Sequence, residues 1–286
     1  TTEIYTLSLH DALPISLTGN IDPQLAAQAA ADLVSGGTAA RRCLPRRGWE
    51  DGARLKALLG VDVFGQPADF DALRQVASRF GLHLIEDSCE ALGAEYKGRK
   101  AGTLGDSAVF AFYPNKQITT GEGGLVVTAD ESMAHMMLAM RNQGRAPGDT
   151  WLEHTYLGYN YRLDEMSAAL GTVQMNRLEE LLQKRQWVAD WYAKHLARVE
   201  GVSAPQIVPS TTRPSWFVYV VRLDRHLDRD RIAARLAERG IPVRPLFSPT
   251  HLQRSYAHMS KSSHRIRARM ASTASNKKTS TEHSTG

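Results

Sequence analysis

The feature that most constrains the fold is the alternation of short apolar segments with an amphipathic helix between positions 61 and 128. The apolar segments lie at 61–64, 82–85, 108–112 and 124–128. Between the first two, residues 70–80 have helical spacing, and Gly81 follows as a helix C-cap. Strands that are apolar at nearly every position are typical of parallel sheets covered by helices, so the sequence predicts an α/β fold with a mainly parallel sheet.

The second half of the chain predicts a long helix followed by a smaller unit of mixed structure. Apolar residues recur at three- and four-residue steps between 163 and 199, which predicts a long amphipathic helix. The alternating β-branched and aromatic residues of 216–223 predict a strand, and 228–239 predicts a helix that Gly240 ends. With an extended return over 241–247, these elements indicate a compact α+β domain.

The distribution of charge argues against a nucleic-acid-binding protein. The formal net charge is +5 at pH 7, from 35 lysine and arginine and 30 aspartate and glutamate residues. Residues 260–286 contain six basic residues and one acidic residue, so this segment carries the whole excess, and residues 1–259 are balanced. A neutral body with a basic tail lacks the basic face by which a folded domain binds nucleic acid.

Cysteine content and hydropathy argue against several other classes of protein. The two cysteines, Cys43 and Cys89, form no CxxC pair, which argues against a disulfide framework or a structural zinc site and is consistent with a reducing cytoplasm. No apolar run approaches the ~18 residues of a membrane span. The first residues also lack the charged-then-apolar order of a signal peptide. We therefore expect a cytoplasmic protein without a metal site.

Three polar features adjoin predicted strands and indicate a ligand crevice. Glu86 and Asp87 directly follow one apolar strand. Lys116 lies just beyond the next strand, and the glycine-rich turn 121–124 leads into the one after it. The carboxyl ends of parallel strands face the crevice where such folds bind ligands. We therefore expect both carboxylates and the lysine to face this crevice.

A lysine and an aspartate on neighbouring strand ends suit pyridoxal 5'-phosphate (PLP) chemistry. The lysine amine can bond to the cofactor aldehyde and move a proton, and the aspartate can keep the pyridinium nitrogen protonated. Each residue also has a simpler interpretation: Asp87 as a cap or ion-pair partner, Lys116 as a solvated charge, and the glycine run as an ordinary turn. From composition and spacing alone, the interpretation stops at an α/β enzyme with a ligand crevice.

Four longer strings, taken together, are similar to a known family. They are VDVFGQPADFDAL (61–73), LIEDSCEALGAEYKGRKAGTLGDSAVFAFYPNKQITTGEGGLVVT (84–128), RNQG (141–144) and YLGYNYRLDEMSAALGTVQMNRLEEL (156–181). Over roughly residues 52–256 the chain resembles the DegT/DnrJ/EryC1/StrS group of PLP-dependent sugar aminotransferases. The resemblance implies PLP-dependent transferase fold type I: a large domain with a mainly parallel sheet, here incomplete, and a small α+β C-terminal domain.

The resemblance assigns roles to residues of the longer strings. Lys116 matches the lysine that holds the cofactor, and Asp87 matches the partner of its pyridinium nitrogen. Glu90 falls where the family has a polar residue beside the cofactor ring. In the GYNYR segment, Asn160 and Arg162 match side chains that reach across a dimer interface toward the partner's cofactor phosphate. The simpler interpretation of these two is a polar loop packed against a neighbouring subunit.

A weaker string, GIPVRPLFSPTHLQ at 240–253, concerns the substrate. It contains Arg244 and His251 where the family's small domain approaches the sugar nucleotide, although ordinary surface positions explain them equally well. The resemblance implies transamination of a nucleotide-diphospho keto-deoxy-sugar, with L-glutamate as donor, by a homodimer with composite active sites. Its product would serve polysaccharide, lipopolysaccharide or antibiotic sugar synthesis. A branch of the family with histidine at the position of Lys116 dehydrates sugars instead, and the lysine argues against that branch.

Two phosphate-binding features of the family are not matched well. Its Ser-Gly-Thr turn is matched only faintly by residues 35–40. Ala111 stands five positions before Lys116, where the family often has a phosphate-binding serine. Helix N-termini suit phosphate because their unpaired amides and dipole favour an anion. These departures leave an alternative open: a non-catalytic PLP-fold binding or regulatory protein, or an inactive fragment of such an enzyme.

We divide the chain into a leader, an unassigned segment, a PLP-binding core, a small C-terminal domain and a tail, at 1–16, 17–60, 61–185, 186–256 and 257–286. The leader resembles translated adapter sequence and is predicted to be artefactual. The unassigned segment contains one predicted helix, at 24–33. The tail is rich in serine, threonine, lysine and arginine with little apolar surface to bury, so we predict that it is disordered.

Overall fold

The computed structural model describes residues 5–7, 16, 18–41, 43 and 54–243, with the backbone alone for 5–7. The sequence predictions for Arg244, His251 and the tail 257–286 lie outside these residues, as do most of the leader 1–16 and residues 244–247 of the predicted extended return. In the part of the chain that is described, no helix combines the length and the apolar character needed to cross a membrane.

Short strands and helices alternate along the described residues. In chain order the strands are β1 (Tyr5–Leu7), β2 (Leu55–Val61), β3 (His83–Asp87), β4 (Glu95–Tyr96), β5 (Arg99–Lys100), β6 (Ser107–Ala111), β7 (Gly124–Thr128), β8 (Val202–Ser203), β9 (Thr211–Arg213) and β10 (Arg222–Leu223). The helices are α1 (Pro23–Ser35), α2 (Gly37–Ala40), α3 (Phe70–Phe80), α4 (Glu131–Arg141), α5 (Glu165–Asn176), α6 (Leu178–Leu196) and α7 (Arg229–Glu238). A 3₁₀ turn, Val63–Gly65, lies between β2 and α3.

A five-stranded sheet runs through the described residues in the order β1-β2-β3-β6-β7. The first four strands are parallel, with Gly60 opposite Glu86 and Asp87 opposite Val109, and β7 pairs antiparallel with β6. The predicted α/β fold with a mainly parallel sheet is therefore confirmed. Two small antiparallel sheets, β5-β4-β9 and β10-β8, complete the β-structure of this part of the chain.

Helices α1 and α3 pack against each other and against β2. Asp69 begins α3 by accepting a hydrogen bond from the Ala72 N–H, and Gly81 ends it with a left-handed φ of 63°. The apolar side of α3 joins a core of side chains from Ile21, Ala26, Ala30, Leu58, Ala68, Phe70, Leu73, Val76, Ala77, Leu82, Leu84, Tyr96 and Leu104. Burying one leucine of such a core contributes roughly 1.5–3 kcal/mol, so this cluster stabilises the sheet against its helical cover.

The long helix predicted over 163–199 is interrupted. Helices α5 and α6 are separated at Arg177, whose φ of −104° and ψ of 1° are not helical. The Arg177 guanidinium forms an ion pair with Glu180 in the first turn of α6. The range therefore contains the long helix α6, but the apolar positions that predicted one helix are divided between α5 and α6. The predicted domain boundary between 185 and 186 falls inside α6, and the division into domains stays a prediction.

The strand predicted over 216–223 is wrong for most of its length, because pairing is confined to β10, opposite β8. Trp216 has a φ of 51°, which lies outside the extended region. The N–H groups of Ser215 and Phe217 donate to carbonyls of the 3₁₀ turn that follows β2. The backbone hydrogen bonds of this segment are thus satisfied by a turn rather than by a neighbouring strand.

Two carboxyl groups lie fully buried beside each other near the ends of β2 and β3. Asp62 and Glu86 are both 0% exposed, and the Ser88 hydroxyl oxygen lies 2.8 Å from Asp62 Oδ2 and 3.0 Å from Glu86 Oε1. Glu86 also accepts hydrogen bonds from the backbone N–H groups of Gly102, Leu104 and Gly105. The expectation that Glu86 faces the crevice with Asp87 is therefore wrong, because successive side chains of a strand point to opposite faces.

The contacts of this buried pair indicate that it holds a proton. Ser88 has one hydroxyl proton and can donate it to only one of the two carboxyl groups within its reach. Burial, followed by the negative charge of Glu86, raises the pKa of Asp62 well above its ordinary value. Glu86 has three backbone donors, whereas Asp62 has one, from Ala68. Of the two carboxyl groups, Asp62 is therefore the one that we expect to carry a proton.

The variant Asp62→Asn tests this assignment. A carboxyl group whose pKa is raised on folding stabilises the fold fully below its unfolded pKa, and this contribution is lost as pH rises through the folded value. We expect the free energy of unfolding of the wild-type chain to fall relative to that of Asp62→Asn as pH rises above the unfolded pKa of aspartate, about 3.9, because the neutral amide replaces the protonated form at every pH. Urea unfolding followed by circular dichroism measures the difference.

Asp71 on α3 provides the control. Its pKa is lowered, first by the hydrogen bond from Lys97, so it stays ionised over this pH range. Asp71→Asn should therefore keep the pH dependence of the wild-type chain. Identical pH dependence in the wild-type chain and Asp62→Asn would contradict the assignment.

Candidate active site

The turn that follows β6 carries Lys116. The Lys116 N–H donates to the Tyr113 carbonyl at 2.9 Å, which closes a tight turn after the strand. The Phe112 carbonyl accepts from the Thr120 N–H at 2.9 Å, and the Phe112 N–H donates to the Gly123 carbonyl at 2.9 Å. The glycine-rich turn 121–124, which leads into β7, is therefore hydrogen-bonded to the residue at which the Lys116 turn begins.

The amine of Lys116 lies in a half-enclosed site. Its side chain is 15% exposed, and Nζ lies 3.9 Å from Glu90 Oε1. Nζ also lies 4.4 Å from the centre of the Phe217 ring, over its face. Glu90 is held by its second oxygen, which accepts from the Phe64 N–H at 2.8 Å. The Lys116 amine is thus flanked by one carboxylate and one aromatic face, both of which stabilise a positive charge.

Asp87 ends β3 on the strand adjacent to β6. Its Oδ1 accepts from the Cys89 N–H at 3.1 Å, and its backbone carbonyl accepts from the Asp62 N–H at 3.0 Å. Burial raises the pKa of Cys89 to about 12, reinforced by the hydrogen bond to Asp87 and the Asp87 charge. The Lys116 charge acts in the opposite direction, and the Glu90 charge raises the value slightly further. Lys116 lies beside Glu90, and Asp87 ends the strand that pairs with β6, so the structure places these three predicted site residues at one edge of the sheet.

The structure adds residues that the sequence analysis missed. Gln117 Nε2 donates to the Glu90 carbonyl and, at 2.9 Å, to Ser215 Oγ. Ser215 and Phe217 belong to the segment that binds the 3₁₀ turn, and Arg185 of α6 donates to the Lys116 carbonyl at 3.1 Å. Arg185, Ser215 and Phe217 lie far from Lys116 in the sequence, whereas Gln117 follows Lys116 directly and contacts Ser215 through its side chain. No short motif marks such contacts.

Asn160 and Arg162 lie in a different environment, and the described contacts do not link them to Lys116. Arg162 Nη1 donates to Asn142 Oδ1 at 2.9 Å, Asn142 and Asn160 form an isolated β-bridge, and both predicted residues are exposed. Gly158 begins the GYNYR segment and packs closely against Gly144. A side chain at position 158 would clash there, because its Cβ would lie 2.2 Å from the Gly144 nitrogen. The segment is thus fixed against the end of α4, and the roles of its two polar residues stay predictions.

The faint phosphate-turn match at residues 35–40 lies at the junction of α1 and α2. Ser35 Oγ donates to the Asp32 carbonyl of its own helix, and a Cβ added at Gly36 or Gly37 would meet no atom within 4 Å. Ala111 pairs with Gly124 at the end of the sheet and offers no hydroxyl. Within the described residues, no contact joins the 35–40 turn to the Lys116 turn.

Cys89 offers a chemical readout of the charges around Lys116. Removing the Asp87 charge should lower the pKa of Cys89, and removing the Lys116 charge should raise it. We therefore expect Asp87→Asn to speed alkylation of Cys89 by iodoacetamide and Lys116→Met to slow it. Mass spectrometry at a mildly alkaline pH measures both rates, with Cys43 as the internal reference. A shift in the same direction in both variants would contradict the arrangement.

Comparison with known proteins gives one consistent family. The profile of the DegT/DnrJ/EryC1/StrS aminotransferase family matches residues 21–285. The chain is 41% identical over 208 residues to GDP-perosamine synthase of Caulobacter vibrioides, covering 72% of this chain and 56% of that protein. It is 39% identical over 206 residues to the dTDP-3-amino-3,4,6-trideoxy-alpha-D-glucose transaminase of Streptomyces venezuelae, covering 71% and 52%.

Solved structures agree with this result. The structure of S. venezuelae DesV in complex with a ketimine intermediate has a TM-score of 0.72 at 34% identity, covering 86% of this chain and 60% of that one. A DegT/DnrJ/EryC1/StrS aminotransferase from Brucella abortus has a TM-score of 0.74 at 27% identity, covering 87% and 61%. The chain thus spans little more than half the length of the two relatives above, 56% and 52%. With a family profile matched along most of its length, the chain belongs to the DegT/DnrJ/EryC1/StrS family of PLP-dependent aminotransferases.

Proposed function

We propose that this chain carries the lysine site of an enzyme that transaminates a nucleotide-linked keto-sugar. The observation that supports this most is the position of the Lys116 amine, between the Phe217 ring and the Glu90 carboxylate and close to the strand end that bears Asp87. Two relatives bear the names GDP-perosamine synthase and dTDP-3-amino-3,4,6-trideoxy-alpha-D-glucose transaminase. Both names are those of enzymes whose product is a nucleotide-linked amino sugar.

The described residues fit PLP at two of its groups. Lys116 would hold the cofactor's aldehyde carbon, and Asp87 would pair with its ring nitrogen and keep that nitrogen protonated. The side-chain oxygen of Gln117, next to Lys116, is buried without a hydrogen-bond partner among the described residues, as expected of a pocket that a ligand completes. When bound, PLP supplies an electron sink for the substrate's reacting carbon.

The residues around Lys116 have distinct tasks in this proposal. Lys116 Nζ would take the proton from the substrate's reacting carbon and pass it to the cofactor carbon that the lysine had held. The Phe217 face and the low exposure of the side chain keep water away from Nζ between these transfers. Glu90 orients the amine through its Oε1 while the Phe64 N–H fixes its other oxygen. Proton transfer thus occurs at one atom that is held from two sides.

The substrate, phosphate and partner assignments rest on the family resemblance. Asn160 and Arg162 are proposed to bind the cofactor phosphate of a partner subunit in a homodimer. Both lie on an exposed segment that also presents Leu157 at 88% exposure and Tyr161 at 72%. Apolar side chains exposed to this degree in one segment favour burial against another surface. L-Glutamate as amino donor, substrate contacts by Arg244 and His251, and a cytoplasmic location complete the proposal.

Absorbance of the purified chain with added PLP tests the proposed function. We expect a visible band from lysine-bound cofactor that Lys116→Ala abolishes and that L-glutamate shifts, because the amino donor displaces Lys116 Nζ. Lys184→Ala is the matched control, since among the described residues Lys184 forms a surface ion pair with Glu180, and the band of this variant should equal that of the wild-type chain. Absence of the band in the wild-type chain would contradict the proposed function and favour a non-catalytic role.

A further inference from the structure

Arg185 of α6 donates to three backbone carbonyls that belong to two distant segments. Its Nη1 lies 2.9 Å from the Trp216 carbonyl and 3.2 Å from the Phe217 carbonyl, and its Nη2 lies 3.1 Å from the Lys116 carbonyl. One planar guanidinium therefore ties α6 to the lysine turn and to the segment 215–217. A guanidinium suits this task because its donors are fixed in a rigid fork.

The charge of Arg185 is directed to these carbonyls. Within the described residues no ion pair joins Arg185 to a carboxylate. In contrast, Arg177 at the start of α6 and Lys184 within it both form ion pairs with Glu180. Burial lowers the pKa of Arg185, which reflects the removal of its guanidinium from water. A partly buried cation that contacts only dipoles is costly to retain, so its position indicates a specific task.

The segment 215–217 needs such support. Trp216 adopts a left-handed φ of 51°, which a bulky residue holds only where its surroundings fix it. On its other side the segment packs directly on Gly65, where an added Cβ would lie 2.7 Å from the Trp216 nitrogen. Arg185 binds the carbonyl of Trp216 itself. The segment is therefore held between the 3₁₀ turn on one side and the Arg185 guanidinium on the other.

We propose that Arg185 is a positioning residue that sets the place of the Lys116 amine. It fixes the lysine at its backbone carbonyl, and it fixes Phe217, whose ring contacts Lys116 Nζ, at its backbone carbonyl as well. The same guanidinium therefore positions both the backbone that carries the lysine side chain and the ring that contacts its amine. The inference rests on the proposed function of Lys116 and adds a residue that contacts neither the cofactor nor the substrate.

The variant Arg185→Lys separates charge from geometry, because an ammonium group keeps the positive charge but cannot span three carbonyls. We expect two effects. The affinity for PLP should fall by about tenfold or more, in line with the loss of charged hydrogen bonds. Lys116, now less enclosed than at 15% exposure, should be acylated faster by acetic anhydride, as measured by mass spectrometry.

Two comparisons distinguish positioning from general stability. Lys184→Met removes a neighbouring charge from the same helix and should leave both PLP affinity and Lys116 acylation unchanged. Phe217→Leu should also speed acylation, and combining it with Arg185→Lys should add less than the sum of the two effects, since Arg185 acts partly through this ring. If Arg185→Lys lowers the melting temperature, Arg185→Gln, which keeps a neutral donor, is measured in the same way.

The acylation rates decide the inference even without cofactor. If the wild-type chain gives no visible band with PLP, the proposed function fails, whereas faster Lys116 acylation in Arg185→Lys still supports the positioning role. Lys116 acylation at the wild-type rate in Arg185→Lys, or fully additive effects with Phe217→Leu, would overturn it.

Discussion

The parallel pairing of β3 with β2 on one side and β6 on the other is the constraint on which the rest of the structure depends. In this register Val61 lies opposite Asp87, and Asp87 lies opposite Val109. Because all three strands run in the same direction, the turns that follow them emerge at one edge of the sheet. The 3₁₀ turn after β2, the carboxylate at the end of β3 and the lysine turn after β6 therefore become neighbours, although they are separated along the chain.

The pleat of β3 assigns opposite tasks to two adjacent carboxylates. Glu86 points into the core, where it accepts hydrogen bonds from three backbone N–H groups and lies within reach of Ser88, beside the buried carboxyl group of Asp62. Asp87 points to the other face, where its charge acts on Cys89 near Lys116. The two are coupled through the backbone, since the Asp62 N–H donates to the Asp87 carbonyl. The same strand end thus contributes a buried polar anchor to stability and a charged group to the candidate site.

The sequence predicted the elements whose signals are local and missed those that depend on distant partners. Helix α3 and strand β7 have the predicted bounds, because capping residues and apolar runs determine them within a few positions. The alternation at 216–223 has the pattern of a strand, yet the turn at Phe64 and Gly65 takes its hydrogen bonds. The proximity of Lys116, Asp87 and Glu90 followed from a long motif. Arg185 could not be found in this way, because a side chain that binds carbonyls places no demand on the residue types it contacts.

The lysine site is completed only when the chain beyond α6 docks against the end of the sheet. Ser215 contacts Gln117 and the Glu90 carbonyl, Phe217 covers the Lys116 amine, and the N–H groups of both donate to the 3₁₀ turn. The residues of each contact are far apart in the sequence, so bringing them together closes a long loop and reduces the conformational entropy of the chain. The contacts offset this entropy loss together, because all of them form when the same segment docks. The geometry of the Lys116 amine therefore depends on the packing of α6 as much as on the sheet that bears the lysine turn.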